Sequence, residues 1–426
     1  GRRIGLCVKG YAQYLGRMEE FTILRMGHQG DGIAEGPVFV PVTLPGERVT
    51  GKLDGNVLRE VRIVTPSDHR VAAPCVHFKT CGGCQLQHAS DGFVADFKTD
   101  VVRNALSAHG LHTTFRPIQT SPSRSRRRAV FSARRTKKGA LAGFHARASG
   151  IVVAVPNCQL LQQELVAALP MVEALTITGA SRKAELTVTV IHSEIGLDVS
   201  VKGGKLLDQA LRSVLAGHAE TFRLARLHWD DETLAMRQPP LQRFGSALVS
   251  PPPGSFLQAT EHGEHALTAA VMEAITGARR VVDLFCGSGT FTLPMAQQAE
   301  IHAVDSIDTM LKALDHGWRQ ADGLKKVSHE TRDLFRRPLL TEELRRFDGI
   351  VLDPPRAGAE AQIATIAAAR AGALRRVAYV SCNPVTFARD AAVLIAAGFT
   401  LDWVQVVDQF RWSAHVELAA QFSTPA

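Results

Sequence analysis

The sequence predicts a multi-domain protein: a small N-terminal β-barrel, an α+β middle domain and a C-terminal doubly wound α/β domain. Three observations carry that prediction. Residues 19–70 read as short strands broken every few residues by Gly or Pro. Pro251, Pro252 and Pro253 then interrupt the chain, because three consecutive prolines cannot sit inside a regular element. From residue 255 onward, helix-period and strand-like segments alternate, the pattern of parallel strands joined by crossover helices. The length of 426 residues and an apolar content of 45% allow two or three real cores.

The opening residues, GRRIGLCVKGYAQYLGRMEE, are charged and lack the apolar run of a secretory signal. Met18 lies just before the first strand-like segment, so residues 1–17 are expected to be a tag or leader. The barrel is assigned to residues 18–70, from FTILRM through PVFVPV to NVLREVRIV. GDGIAE followed by VFVPVTLPGE resembles the TRAM domain, an oligonucleotide-binding-type barrel, and that resemblance implies single-stranded nucleic acid as a partner.

Residues 71–250 are assigned to the middle domain, with ELTVTVI and IGLDVSV as strands. It holds most of the excess charge. Formal net charge is +8, and the stretch from Arg124 to Lys138 carries basic residues without an acidic one. Val130 and Phe131 inside it suit a basic β-hairpin better than a solvated tail. Arg124, Arg126, Arg127, Arg128, Arg134 and Arg135 are therefore expected to track the phosphates of RNA or DNA. The same domain contains Cys75, Cys81 and Cys84 in C-x5-C-x2-C spacing, with Cys158 further on. Four thiolates can hold zinc or an iron–sulfur cluster. Zinc ribbons supply two close C-x2-C pairs, whereas this set is three plus one distant Cys, and Gly82-Gly83 would let the backbone wrap a bulky cluster. Seven cysteines without a secretory signal point to a reducing, cytoplasmic setting and to metal or catalytic use. No run approaches the apolar length of a membrane span.

The third domain, residues 251–426, carries the chemistry. In VVDLFCGSGTF, Gly287 and Gly289 follow a buried strand and precede a helix, where a backbone can approach a ligand closely. The third glycine of a dinucleotide fingerprint is missing. Asp305, ending the strand IHAVD, is placed to accept from a ribose diol, and Asp333 in TRDLF can face an adenine amine. With Asp353 in VLDPPRAGA, this order favours S-adenosylmethionine over a nicotinamide cofactor. Arg356 stands where amine methyltransferases with an acid-Pro-Pro turn carry a base-stacking aromatic.

The strand RRVAYV delivers Cys382 to a sharp turn before a helix, a position where a thiol pKa can be lowered. Carbon 5 of a pyrimidine is a poor nucleophile; thiolate addition at carbon 6 makes it an enolate that can take a methyl group. A base must then remove the carbon 5 proton. Glu417, among the apolar residues of SAHVELAAQF, is a candidate base, since a carboxylate there is costly to bury without a use. Cys286 is expected to be structural.

DLFCGSGTF, DPPRAG, SCNP and the terminal His-Val-Glu, in this order, resemble the RNA 5-methyluridine methyltransferases, from about residue 20 to the C-terminus. The resemblance implies Cys382 as nucleophile and Glu417 as base. It also implies that Gln258, Phe285, Thr290, Asp305, Asp333 and Asp353 line the cofactor and uracil pocket. Thr290 stands where members commonly have Asn, and Asp305 where Glu is common. The cysteine set is similar to the [4Fe–4S] site of the ribosomal-RNA branch, which implies a four-iron cluster that organises the RNA-binding region. The expectation is thus a monomeric uracil-5 methyltransferase acting on 23S ribosomal RNA. Transfer RNA is the alternative substrate, and a non-catalytic iron–sulfur RNA-binding protein the alternative class.

Overall fold

The structure is a computed structural model and describes residues 19–424; the expectation for residues 1–17 lies outside them. The chain divides into two compact units. The first takes in residues 19–73, 85–94 and 412–414. Its strands are β1 (Glu19–Thr22), β2 (Arg25–Met26), β3 (Gly32–Ala34), β4 (Val38–Val40), β5 (Arg48–Asp54) and β6 (Val57–Thr65). They form one sheet in the order β1-β5-β6-β4-β3-β2, antiparallel except for the β4–β6 pair. Ile23, Ala34, Val38, Val40, Val49 and Leu58 make its core. Glu47 is fully buried there and accepts from the Leu44 amide at 2.9 Å and from Arg70 Nη2 at 2.7 Å. Burial would raise its pKa, but Arg70 and two backbone amides hold it below the usual glutamate value.

The second unit contains residues 74–84, 95–411 and 415–424. Its strands begin with β7 (Thr114–Thr120), β8 (Arg128–Arg135), β9 (Ala140–His145), β10 (Val152–Ala154), β11 (Glu185–Ser193), β12 (Gly196–Lys202), β13 (Arg226–Trp229) and β14 (Glu232–Met236). All but β7 form a seven-stranded sheet ordered β10-β9-β8-β11-β12-β13-β14. Helices Leu169–Gly179 and Gln209–Thr221 supply Leu175 and Leu215 to a core with Phe131, Val188 and Trp229. The basic segment is indeed a hairpin strand, with Phe131 buried and Val130 exposed. A short hairpin of β15 (Gln242–Phe244) and β16 (Ala247–Val249) precedes the prolines.

The remaining strands are β17 (Arg280–Leu284), β18 (Glu300–Asp305), β19 (Val327–Thr331), β20 (Gly349–Leu352), β21 (Arg376–Ser381), β22 (Thr400–Asp408) and β23 (Leu418–Ser423). With β7 they build an eight-stranded sheet, β19-β18-β17-β20-β21-β23-β22-β7. The first five run parallel, and β23 is antiparallel to both neighbours. Helices cover both faces, so the central strands are mostly apolar, as a parallel sheet requires, with Asp283 in β17 a buried exception. The period of two is still visible: Ile350, Leu352 and Tyr379 enter one core, while Val351, Ala378 and Val380 enter the other. Each such full burial stabilises by roughly 1.5–3 kcal/mol.

The boundaries differ from the sequence expectation in two places. β7 falls inside the stretch 71–250, yet it pairs in parallel with β22 at the edge of the catalytic-type sheet. Its Pro117 can sit there because an edge strand need not donate on both sides. Arg116 of β7 also lies 3.7 Å from the Trp403 ring centroid. Residues 255–260, where the alternation of helices and strands was expected to begin, are irregular; the helix is Glu261–Ala274, capped by the Thr260 hydroxyl accepting from the Gly263 amide at 2.9 Å. Among the described residues no helix is long and apolar enough to cross a membrane.

Candidate active site

Because β17 to β21 are parallel, their carboxyl ends share one edge, and that edge collects Phe285, Asp305, Asp333, Asp353 and Cys382. Ligands of open α/β sheets bind at this edge. After β17 the chain turns through Phe285 (φ 63°), Gly287 (φ 55°) and Gly289 (φ 95°). A Cβ at Gly289 would lie 2.9 Å from the Leu314 side chain, so glycine is needed for both conformation and space. Asp305 accepts from the Gly287 amide and from the Ile307 amide, both at 2.9 Å. The acid expected to meet a ribose therefore also fixes the glycine turn. Asp333 accepts from the Phe335 amide at 3.0 Å, and the Phe335 ring stands 5.5 Å from that of Phe285. Thr290 is half-buried at the end of the turn.

Asp283, which sequence reasoning passed over, lies inside β17 and is fully buried. One of its oxygens accepts from the Thr292 hydroxyl at 2.6 Å, and the other has no partner. Burial lifts its pKa to about 7, with Asp305 adding to the rise. An acid within an otherwise apolar VVDL strand was the available signal. Cys286 is buried in the adjoining core, its thiol pushed up by burial and by Asp283, which suits a structural role.

The second group surrounds Cys382. Asn383 caps helix Pro384–Ala396 by accepting from the Val385 amide at 3.1 Å. Its side-chain amide donates to the Arg356 carbonyl at 2.8 Å, which ties the SCNP turn to the DPPR loop. The Cys382 thiol is raised to about 11, first by burial and then by Glu417 and Asp353, with Arg356 opposing. The sequence had suggested a depressed pKa; two nearby carboxylates and desolvation outweigh the helix start and the single guanidinium. Asp353 is pushed well above the carboxylate range by burial, Glu417 and Asp283. Arg356 Nη2 donates to His415 Nδ1 at 3.1 Å.

Glu417 lies just before β23 and is 3% exposed. Burial raises it to about 7, against a hydrogen bond from Gln409. Gln409 Nε2 donates to Glu417 Oε2 at 2.8 Å and also to Gln258 Oε1. Gln258, which as a bare amide would be read as a surface residue, is 1% exposed. Thus the structure brings Gln258 and Glu417 together through a residue the sequence reading did not single out.

The four middle-domain cysteines all belong to the second unit. Burial raises the Cys81 and Cys158 thiols, and Cys75 adds to both. The Gly83 amide donates to Cys81 Sγ at 3.4 Å. Even so, among the described residues no three or more His, Cys, Asp or Glu side chains are gathered as one metal ion requires. As arranged, Cys75, Cys81, Cys84 and Cys158 do not make a zinc-type site, and the expected metal centre gains no support from this geometry.

The arginines need a larger correction. Arg127 is 4% exposed; its Nη2 donates to Glu264 at 2.5 Å and its Nε to the Gln258 carbonyl at 3.3 Å. It is a core ion pair, not a phosphate contact, because an unpaired guanidinium there would be too costly. Arg126 donates to the Arg128 carbonyl at 3.0 Å and Arg128 to the Ser255 carbonyl at 3.2 Å, both half-buried. Arg135 is also half-buried, with its Nε enclosed. Arg124 and Arg134 are exposed but engaged, with Gln159 and Glu185 respectively. Sequence alone could not show which charges meet partners from distant segments.

Comparison with known proteins agrees with this geometry. A family model of tRNA (uracil-5-)-methyltransferases matches residues 251–423. An uncharacterised RNA methyltransferase of Rhizobium meliloti (strain 1021) is 42% identical over 411 residues, covering 94% of this chain and 98% of its own. The 23S rRNA (uracil(1939)-C(5))-methyltransferase RlmD of Vibrio cholerae serotype O1 (strain M66-2) is 30% identical over 433 residues, covering 94% of each chain. The fold is shared with Pyrococcus abyssi tRNA (uracil-54, C5)-methyltransferase, solved in complex with S-adenosyl-L-homocysteine. That structure has a TM-score of 0.72 at 20% identity, covering 95% of this chain and 100% of the other.

Proposed function

Since the chain belongs to the RNA (uracil-5-)-methyltransferase family, we propose that it methylates uridine carbon 5 in 23S ribosomal RNA through a covalent Cys382 adduct. The observation that carries the reading is the convergence of one thiol and two raised carboxyls, Cys382, Asp353 and Glu417, at the carboxyl edge of a parallel sheet. The methyl donor is S-adenosylmethionine. Gly287 and Gly289 let the backbone approach it, and Phe285, Thr290, Asp305 and Asp333 flank that turn.

Cys382, as the thiolate, adds to carbon 6 of the uracil, and carbon 5 of the resulting enolate takes the methyl group from the sulfonium, whose S–CH3 bond breaks to leave S-adenosylhomocysteine. Glu417 then accepts the carbon 5 proton, the Cys382–carbon 6 bond breaks, and the double bond is restored. Electrons and protons balance: one methyl enters carbon 5, one proton leaves it. Arg356 favours the Cys382 thiolate, against burial, Glu417 and Asp353.

Ribosomal RNA is preferred to transfer RNA because the full-length relative named for 23S rRNA is 30% identical, against 20% for the tRNA enzyme. Arg124 and Arg134, with the exposed Lys137 and Lys138, are the basic-segment residues left to meet phosphate. A [4Fe–4S] cluster on Cys75, Cys81, Cys84 and Cys158 belongs to the same reading. Its support is the sequence pattern, C-x5-C-x2-C followed by the distant Cys158. Iron content after anaerobic purification tests it, with about four irons per chain expected. The function itself is tested by incubating the protein with labelled methyl donor and unmodified 23S rRNA or tRNA transcripts. 5-Methyluridine is expected in the first only; label in tRNA alone would reverse the substrate, and label in neither would sink the activity.

A further inference from the structure

We propose that Gln409 is a positioning residue that aims the Glu417 carboxylate and locks it to Gln258; this rests on the reading of Glu417 as the base. Gln409 follows β22 directly and is 1% exposed. The Ala259 amide donates to Gln409 Oε1 at 2.7 Å. A primary amide has one oxygen, so that bond dictates which way the group faces. Both Nε2 hydrogens are then turned to the other side, one to Glu417 Oε2 at 2.8 Å and one to Gln258 Oε1. A flipped amide would set nitrogen against the Ala259 N–H and oxygen against two acceptors. Three buried groups would lose their partners at once.

Packing holds the amide still. A Cβ on Gly263 would lie 2.6 Å from the Gln409 Cβ, so the first turn of helix Glu261–Ala274 closes directly over it. On the far side Arg127 donates from its backbone to the Ala259 carbonyl at 3.0 Å and from Nε to the Gln258 carbonyl. The anchor of Gln409 is thereby built into the ion pair of Arg127 with Glu264.

What faces Glu417 makes this orientation matter. Beyond burial, Glu417 raises both Asp353, just after β20, and Cys382, after β21; Asp283 in β17 acts on Asp353, and Arg356 is the cation that acts on Cys382. None of these acids can donate to Glu417 once ionised, whereas the neutral amide of Gln409 donates whatever the pH. The hydrogen bond favours the ionised base and fixes one oxygen, leaving the second to reach the substrate proton.

The test uses the full chain with an RNA transcript that the unaltered protein methylates. Gln409→Met keeps the volume and removes both donors; turnover should fall about tenfold, the factor one lost hydrogen bond supplies. Covalent protein–RNA adduct should accumulate on natural uridine, and the alkaline-going inflection of turnover should move to higher pH. S-adenosylmethionine affinity should stay within about twofold, a result that simple misfolding would not give. If the Met variant does not fold, Gln409→Asn, which keeps the amide but shortens its reach, should show the same pH shift at smaller amplitude. Glu417→Gln is run beside them. If it accumulates adduct while the Gln409 variants keep the original turnover and pH profile, the positioning role is overturned and the base reading stands. If Glu417→Gln accumulates no adduct and turns over normally, the base reading fails and takes this proposal with it.

Discussion

The side-chain amide of Asn383 donates to the backbone carbonyl of Arg356 at 2.8 Å, fastening the turn that presents Cys382 to the loop that follows Asp353. The same side chain caps the helix behind the thiol through its oxygen. One residue thus sets the helix start and ties the Cys382 turn to the loop after Asp353. Asn383→Ala should lower stability by about 1–2 kcal/mol, the usual value of an N-cap, and cut adduct formation more than that loss would imply. Thermal unfolding and the rate of adduct formation on a 5-fluorouridine transcript measure the two effects separately.

Cys382→Ala should abolish methylation while RNA and S-adenosylmethionine still bind. With 5-fluorouridine the unaltered protein should be trapped as an adduct, because fluorine cannot leave as a proton, and the Ala variant should not. Methylation above background in the variant would remove Cys382 from the mechanism.

The acids around the thiol predict its reactivity. Glu417 and Asp353 both raise Cys382, so Asp353→Asn removes one opposing charge and should lower the thiol pKa from about 11. Alkylation of the Cys382 peptide, followed against pH by mass spectrometry, should then begin at lower pH. An unchanged curve would show that burial alone holds the thiol up.

Glu417 must be ionised to accept a proton, and burial raises its pKa to about 7. With Glu417 as the proposed base, the adduct should persist below that value and resolve faster above it. Single-turnover resolution of the adduct should therefore rise with pH through about 7. Glu417→Gln should flatten this limb and hold the adduct on natural uridine.

Arg127 was expected to grip phosphate and is instead paired with Glu264 at 2.5 Å. Arg127→Ala leaves that carboxyl buried without its cation and should cost about 3–5 kcal/mol, seen in urea denaturation. Arg127→Met with Glu264→Leu, which removes both charges, should recover most of the loss. The salt dependence of RNA binding should remain as in the unaltered protein in the double variant; a flatter slope would restore Arg127 to the phosphate contacts.

The acids and the thiol could be found in the sequence because their positions follow from local rules. Asp305 and Asp353 stand at or just beyond the ends of apolar strands, and Cys382 between a strand and a capped helix, so parallel topology alone sends them to one edge. Buried β17, β20 and β21 read as apolar runs for the same reason. What tertiary structure decided was pairing across long separations. Arg127 meets Glu264 at a distance of 137 residues and Gln409 meets Gln258 at 151, and no periodicity encodes either partner. The same limit governs charge: a run of arginines states how many cations a segment has, but desolvation and opposing groups decide where they go. It also explains the thiol, since a helix start suggested a low pKa while burial, and then Glu417 and Asp353 brought in from other segments, raised it. β7 joins the eight-stranded sheet beside β22, a partner far along the chain that no local pattern marks.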